Sequence, residues 1–302
     1  MIKLRIYILL ATIGCTSNLF AQTARWDSIS AISTVNLFCE PGYITAMGGY
    51  GNIEPLIFEA DIVPYYMLGF NPSSRWGIAL SPRVILRMYN KDSYPVRTPS
   101  YMPRVVLMRQ FVNESKQRDW FCYFSWYHHS NGQDGTFFNA DSSGINTQNG
   151  SFSTNWVESG FFFSRLKENK KYFLKISAMY SYKQDHELDG TYGRLRFFSD
   201  FQSEWNLSKT FKFLDLSYLK NNKILLTSAL RVGLIADDLQ NAKIIDKKRL
   251  IFRYTLTFKP SFCRDVNLFA QYYYGQDYYN IYFNRTLQVL RFGITAKISI
   301  FN

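Results

Sequence analysis

His128-His129-Ser130-Asn131-Gly132 brings an imidazole, a hydroxyl and a permissive turn into one short run. His128 and Ser130 are two residues apart, so on a β-strand both side chains share a face. A serine beside a histidine is the minimum for a hydroxyl nucleophile with its own general base. Ser130 would attack an ester carbonyl, and His128 would take its proton and later deliver it to the leaving alcohol. Asn155 lies where the next strand is expected, and its side-chain carbonyl can accept from the other ring nitrogen. An amide in this role avoids the cost of a carboxylate on an apolar wall. The backbone N–H of Gly132 is placed in sequence to meet an oxyanion, and glycine permits the close turn this needs. Taken alone, Asn131-Gly132 is a common turn dipeptide and a lone His-x-Ser is usually incidental. The conjunction with Asn155 is what carries the reading.

These residues need elements to hold them. Segments rich in Tyr, Phe, Val, Ile and Leu, bounded by Asn, Asp, Gly, Ser or Pro, run over Glu54–Phe70, Arg75–Asn90, Tyr101–Val112, Arg118–Ser130, Ser151–Leu166, Lys171–Gln184, Thr191–Trp205, Lys223–Ala236, Arg249–Phe258, Asp265–Tyr274 and Gln288–Ile300. Many have the length a tilted strand needs to cross a bilayer. Short connections (Asn71–Ser74, Lys167–Lys170, Lys259–Cys263) alternate with long polar ones (Lys91–Ser100, Asn131–Gly150, Asp185–Gly190, Asp237–Lys248, Gly275–Thr286). This asymmetry belongs to outer-membrane barrels, with tight periplasmic turns and longer external loops. Eleven strands leave one missing from the even count such barrels favour, and an opening strand within Thr34–Gly49 supplies it. Lys209–Leu219 also alternates, but counting it would reverse the loop asymmetry downstream, so it reads as part of a long periplasmic connection. The expected fold is all-β, a twelve-stranded antiparallel transmembrane β-barrel.

In that frame the His-Ser strand is the fifth and runs outward. Trp120, Cys122, Phe124, Trp126, His128 and Ser130 share one parity; Phe121, Tyr123, Ser125, Tyr127 and His129 share the other. The first set is the more apolar and is expected to face lipid. On the next strand Glu158 should point inward, because a charge facing lipid costs up to a few kcal/mol. Asn155 then points outward, on the wall that carries His128 and Ser130. A site on that wall, near the outer leaflet, implies a lipid ester as substrate.

The bulk properties agree. Met1–Arg5 is basic, Ile6–Ile13 apolar, and Phe20-Ala21-Gln22 closes a cleavage site, so residues 1–22 read as a secretory signal peptide and 23–302 as one barrel domain. Lipidation at Cys15 is disfavoured because the signal-like stretch continues past Cys15 to Phe20. Aromatic residues make up 18% of the chain while mean hydropathy is only −0.19, a combination expected where apolar and polar residues alternate. The net charge of +12 suits anionic lipid head groups better than nucleic acid, for which no motif is present. Cys39, Cys122 and Cys263 are no disulfide framework, and no zinc spacing occurs. The loop Asn131–Gly150 carries Asp134, Asp141, Ser142 and Ser143, but without the spacing of an EF-hand.

The run His128-His129-Ser130-Asn131-Gly132, followed by Asn155, resembles the His-x-Ser-Asn-Gly…Asn pattern of the outer membrane phospholipase A family. Leu268-Phe269-Ala270-Gln271-Tyr272-Tyr273-Tyr274-Gly275, with Asp277-Tyr278-Tyr279-Asn280-Ile281 and Phe283-Asn284, is similar to the family's last hairpin. Tyr101-Met102-Pro103 resembles a Tyr-x-Pro that opens a strand there. The resemblance implies a twelve-stranded, calcium-dependent barrel that hydrolyses acyl esters of phospholipids and is activated as a homodimer. Carried over, Ser130 is nucleophile, His128 base, Asn155 the orienting amide and Gly132 an oxyanion donor. The backbone carbonyl of Gln133 and the side chain of Ser151 would hold Ca²⁺. Two departures stand out: the loop between Gly132 and Asn155 is longer, and the family's Ser-Arg-Ser-Trp-Asn reads Ser151-Phe152-Ser153-Thr154-Asn155. Two rival readings remain. One is a lipid A deacylase-type esterase using Glu158 as the third member. The other is a non-catalytic structural or pore barrel.

Overall fold

The computed structural model describes residues 28–300 apart from 72–74, 94, 114–117, 142, 168–169, 208–223, 240–241, 244, 261–262 and 264. The expected signal peptide and the Lys209–Leu219 segment lie outside the described residues. The staves are β1 (Gly42–Thr45, resumed at Tyr50–Gly51), β2 (Leu56–Ile62, continued by Pro64–Asn71), β3 (Trp76–Tyr89), β4 (Ser100–Asn113), β5 (Arg118–Ser130) and β6 (Ser153–Leu166). They continue as β7 (Lys170–Gln184), β8 (Leu195–Asn206), β9 (Leu225–Ile235), β10 (Leu250–Lys259), β11 (Asn267–Gln276) and β12 (Thr286–Ala296, continued by Ile298–Ile300). Each pairs antiparallel with its sequence neighbour, and β12 returns to β1 with Gly42 opposite Ala296, closing a twelve-stranded barrel. Closure removes the exposed strand edges that an open sheet would leave unpaired.

Alternation decides which face looks out. Along β5, Phe121, Tyr123 and His129 are buried, whereas Trp120, Phe124 and Trp126 are 37–44% exposed. The same rhythm holds in β12, where Leu287, Val289 and Arg291 turn inward and Leu290, Phe292 and Ile294 outward. Among the described residues no helix is long and apolar enough to cross a membrane.

The expected opening strand forms only in its later part. Ser28–Phe38 is a helix, α1, and the strand starts at Gly42. The reason is spacing: Ala31, Val35 and Phe38 recur at helical intervals and are all buried. α1 lies inside the barrel at the short-turn end. Phe38 packs on Tyr123 and Phe162, with ring centroids 5.0 and 4.6 Å apart, and the Thr34 and Ser164 hydroxyls are 2.6 Å apart. Glu40, just past the helix, meets Arg231 at 3.1 Å, Arg253 at 3.6 Å and Arg83 at 3.8 Å.

The long-loop end is closed as well. Phe137, Phe152, Leu188, Tyr192, Tyr279, Ile281, Tyr282 and Phe283, from three different loops, pack with Ile85, Trp156 and Met179 of the wall. Beneath them Arg87 donates to Glu59 at 2.6 Å and to both oxygens of Asp277 at 2.9 Å, and Arg291 donates to Glu59 at 2.9 Å. Paired guanidinium and carboxylate groups are how charge is tolerated in so dry an interior. A cavity of about 370 Å³ remains beside the helix at the short-turn end, and one of about 150 Å³ beneath the cap. α1 and the cap loops thus occupy the two ends of the interior.

Candidate active site

The site lies on the outer wall where β4, β5, β6 and β7 reach the long-loop end. β5 and β6 set its register: His128 stands opposite Asn155, and Ser130 opposite Ser153. Directly opposed residues of an antiparallel pair share a face, so all four side chains project to one side. That side is the outer face of the barrel, because the intervening His129 and Thr154 are buried in the interior. His128 Nδ1 is 3.0 Å from Asn155 Oδ1. A carbonyl oxygen can only accept, so Nδ1 carries a proton, and in the neutral ring Nε2 is then the acceptor nitrogen, on the side away from Asn155. Neither interior cavity is lined by His128, Ser130 or Asn155.

The turn after Ser130 is held from below. Gly132 has φ +69°, a left-handed conformation that only glycine adopts freely, and a Cβ there would sit 3.5 Å from the ring of Tyr101. Tyr101 itself stands opposite Ser130 on β4 and is exposed. Asn131, in sequence a mere turn former, has its side chain inside the protein. It donates to the Gly150 carbonyl at 2.8 Å and accepts from the N–H groups of Phe152 at 3.1 Å and Gln133 at 3.2 Å. Phe152 is in turn clamped in the cap against Tyr192 and Phe283. The loop after Ser130 is therefore tied to the apolar cap through one buried amide, a role its sequence context did not signal.

Gln133 and Ser151 are drawn to the same region by this fold-back, with Ser151 N–H bonded to the Gly135 carbonyl at 2.9 Å. The Ser151 hydroxyl donates to Asp185 at 3.5 Å, and the Asp185 N–H donates to the Ser153 carbonyl at 3.0 Å. Asp185 was expected only as a loop residue. Burial raises its carboxyl from the ordinary aspartate value, and Glu187 adds to the effect. Asp134, Asp141 and Ser143 do not converge: Asp141 accepts from the Ser143 N–H, and among the described residues no cluster of three His, Cys, Asp or Glu side chains could hold a metal. The candidate for a hard cation is thus the hydroxyl, carboxylate and backbone carbonyl set around Ser151.

Glu158 points inward, as parity requires. It accepts from Tyr123 at 2.6 Å and Arg104 at 3.1 Å and lies 3.6 Å from Lys175. It is engaged in interior ion pairs, on the opposite side of the wall from His128.

No family model matches the sequence, and no curated protein matches it. Among solved structures the chain is similar to outer membrane phospholipase A from Escherichia coli, with a TM-score of 0.55 and 11% identity over 85% of this chain and 90% of that one. It is similar to an active-site mutant of the same enzyme with the same figures. At that identity the likeness is one of fold.

Proposed function

We propose that the chain is an outer-membrane phospholipase A that cleaves acyl esters of phospholipids through a serine acyl-enzyme. The observation that carries this is the 3.0 Å contact between His128 Nδ1 and Asn155 Oδ1 on the outward wall, with Ser130 two residues on along the same face. The fold shared with a solved phospholipase barrel supports it.

The chemistry follows from the tautomer. Nε2 of His128 accepts the Ser130 proton as Oγ attacks the ester carbonyl. Negative charge gathers on the carbonyl oxygen, where the Gly132 N–H is the candidate donor. Collapse expels the lysophospholipid alkoxide, which takes the proton back from His128. Water, deprotonated by the same nitrogen, then releases the fatty acid and restores Ser130. Asn155 keeps the ring oriented throughout. Facing lipid, the site needs no pocket for the acyl chains.

The donor set fits calcium, which favours oxygen ligands. Ser151 and the Gln133 carbonyl would hold it, with the nearby Asp185 supplying charge. When bound, it would add positive potential beside the developing oxyanion. A homodimer that covers the exposed wall around Trp126 is the expected active assembly.

The decisive experiment is hydrolysis of phosphatidylcholine by the refolded barrel and by Ser130→Ala, with and without chelator. Ser130→Ala should reduce the rate by at least about 10³-fold while the barrel stays heat-modifiable. An unchanged rate would sink the proposal. Chelator should abolish wild-type turnover, and added Ca²⁺ should restore it.

A further inference from the structure

β7 carries an irregularity beside the proposed triad. Phe173, Lys175, Ser177, Met179 and Ser181 alternate into the interior, and strict alternation would send Lys183 there too. The pairing with β6 departs from that rhythm: Trp156 stands opposite Ser181, but the next pair is Asn155 with Lys183. One extra residue, Tyr182, is inserted. A bulge of this kind re-aims the side chains that follow it. Lys183 emerges on the lipid-facing side, directly across from the amide that orients His128, and it is exposed. Tyr182 is also exposed and accepts a hydrogen bond from the Trp126 indole of β5, which pins the bulge outward.

We propose that Lys183 binds the phosphate of the lipid being cleaved. The proposal rests on the esterase reading above and adds the substrate's head group to it. Three observations converge. Among the described residues no carboxylate is ion-paired with Lys183. The nearest acidic residue in sequence, Asp185, has its carboxylate accepting from the Ser151 hydroxyl instead. Lys183 also sits at a strand end, where a long cationic side chain reaches the head-group layer while its stem lies along apolar surface. In a glycerophospholipid the acyl ester and the phosphate are only a few bonds apart. A carbonyl held at Ser130 therefore places its phosphate beside the neighbouring strands of the same wall, where Lys183 is the cation that the bulge presents. An ammonium meeting a phosphodiester there gains a charge-assisted contact that a phosphate-free ester cannot make.

The test uses the full-length barrel in phosphate-free sugar-detergent micelles, with Lys183→Met and Lys183→Arg. The substrates are phosphatidylcholine and a diacylglycerol of the same chains. The ratio of kcat/KM on phospholipid to that on diacylglycerol should fall about tenfold in Lys183→Met, chiefly through KM, and recover in Lys183→Arg. An unchanged ratio overturns the assignment. So does diacylglycerol hydrolysis that rises, through Lys183, on adding a non-hydrolysable diether phospholipid, since the phosphate would then belong to a neighbouring lipid. A second arm needs no turnover. Binding of the diether phospholipid to Ser130→Ala, followed by Trp126 fluorescence, should weaken about tenfold when Lys183→Met is added; equal affinity refutes the head-group role. If Ser130→Ala retains hydrolysis, the esterase reading fails, whatever the binding arm returns.

Discussion

In the proposed mechanism His128 serves Ser130 only in the tautomer that leaves Nε2 unprotonated, and the Asn155 amide 3.0 Å from Nδ1 would select it with a single hydrogen bond. Replacing Asn155 with Ala removes that acceptor and frees the ring to turn. A hydrogen bond to a group that becomes charged contributes about 1.5–3 kcal/mol, so kcat should fall about 10- to 100-fold with little change in KM, measured under steady-state conditions. A fall in KM affinity alone would mean that Asn155 contacts substrate instead. Asn131 acts at one remove. Asn131→Ala leaves the Phe152 and Gln133 N–H groups without their acceptor inside the protein. The expected cost is about 2–3 kcal/mol in urea unfolding, with a loss of activity as the Gly132 turn loosens. Asn155 was legible in sequence because it sits on the right parity of the right strand. Asn131 was not, since Asn-Gly marks any tight turn, and only the folded loop turns its amide inward.

At the level of elements, α1 and the β7 bulge are where alternation gives way. The helix occupies the short-turn end of the interior and is followed by Glu40, set among Arg83, Arg231 and Arg253. Burial alone would raise the Glu40 carboxyl, but the three guanidinium groups hold it well below the usual carboxylate range. A depressed value means that its stabilisation is complete above the unfolded-state value, about pH 4.5, and is lost as pH falls through the lower folded value. Glu40→Gln should therefore destabilise the barrel at pH 7, by about 3 kcal/mol for an uncompensated buried pair. The gap from wild type should narrow as pH falls below the unfolded-state value and close only further down, once the folded glutamate is itself protonated. Urea midpoints across pH 3–7 check both; a gap that widens in acid would contradict the ion-pair account.

Over the whole molecule, the two ends of the barrel do different work. The short-turn end is filled by α1, while at the other end the loops fold inward and leave the wall of His128, Ser130 and Asn155 outside. Arg87 joins β3 to Glu59 of β2 and to Asp277 in the loop that enters the cap. Arg87→Ala leaves Glu59 with Arg291 and Asp277 with Arg285 as their remaining guanidinium partners, and should cost about 3 kcal/mol in lost charged hydrogen bonds. Heat-modifiability and protease resistance of the 277–285 loop should drop together. Loss of the first with the second intact would mean that the cap stands without this network.

Much of this protein is written locally. A two-residue period in the wall, alternating loop lengths and the His128, Ser130 and Asn155 parities follow from the chain alone, because a closed barrel in lipid must satisfy its backbone internally and turn apolar side chains outward. The helix at Ser28–Phe38, the inward amide of Asn131 and the outward turn of Lys183 were settled by tertiary contacts. The helix needs an interior to fill, the amide needs a cap to tie to, and a bulge exists only between two strands, so no single strand's sequence can show which face its last residues will take.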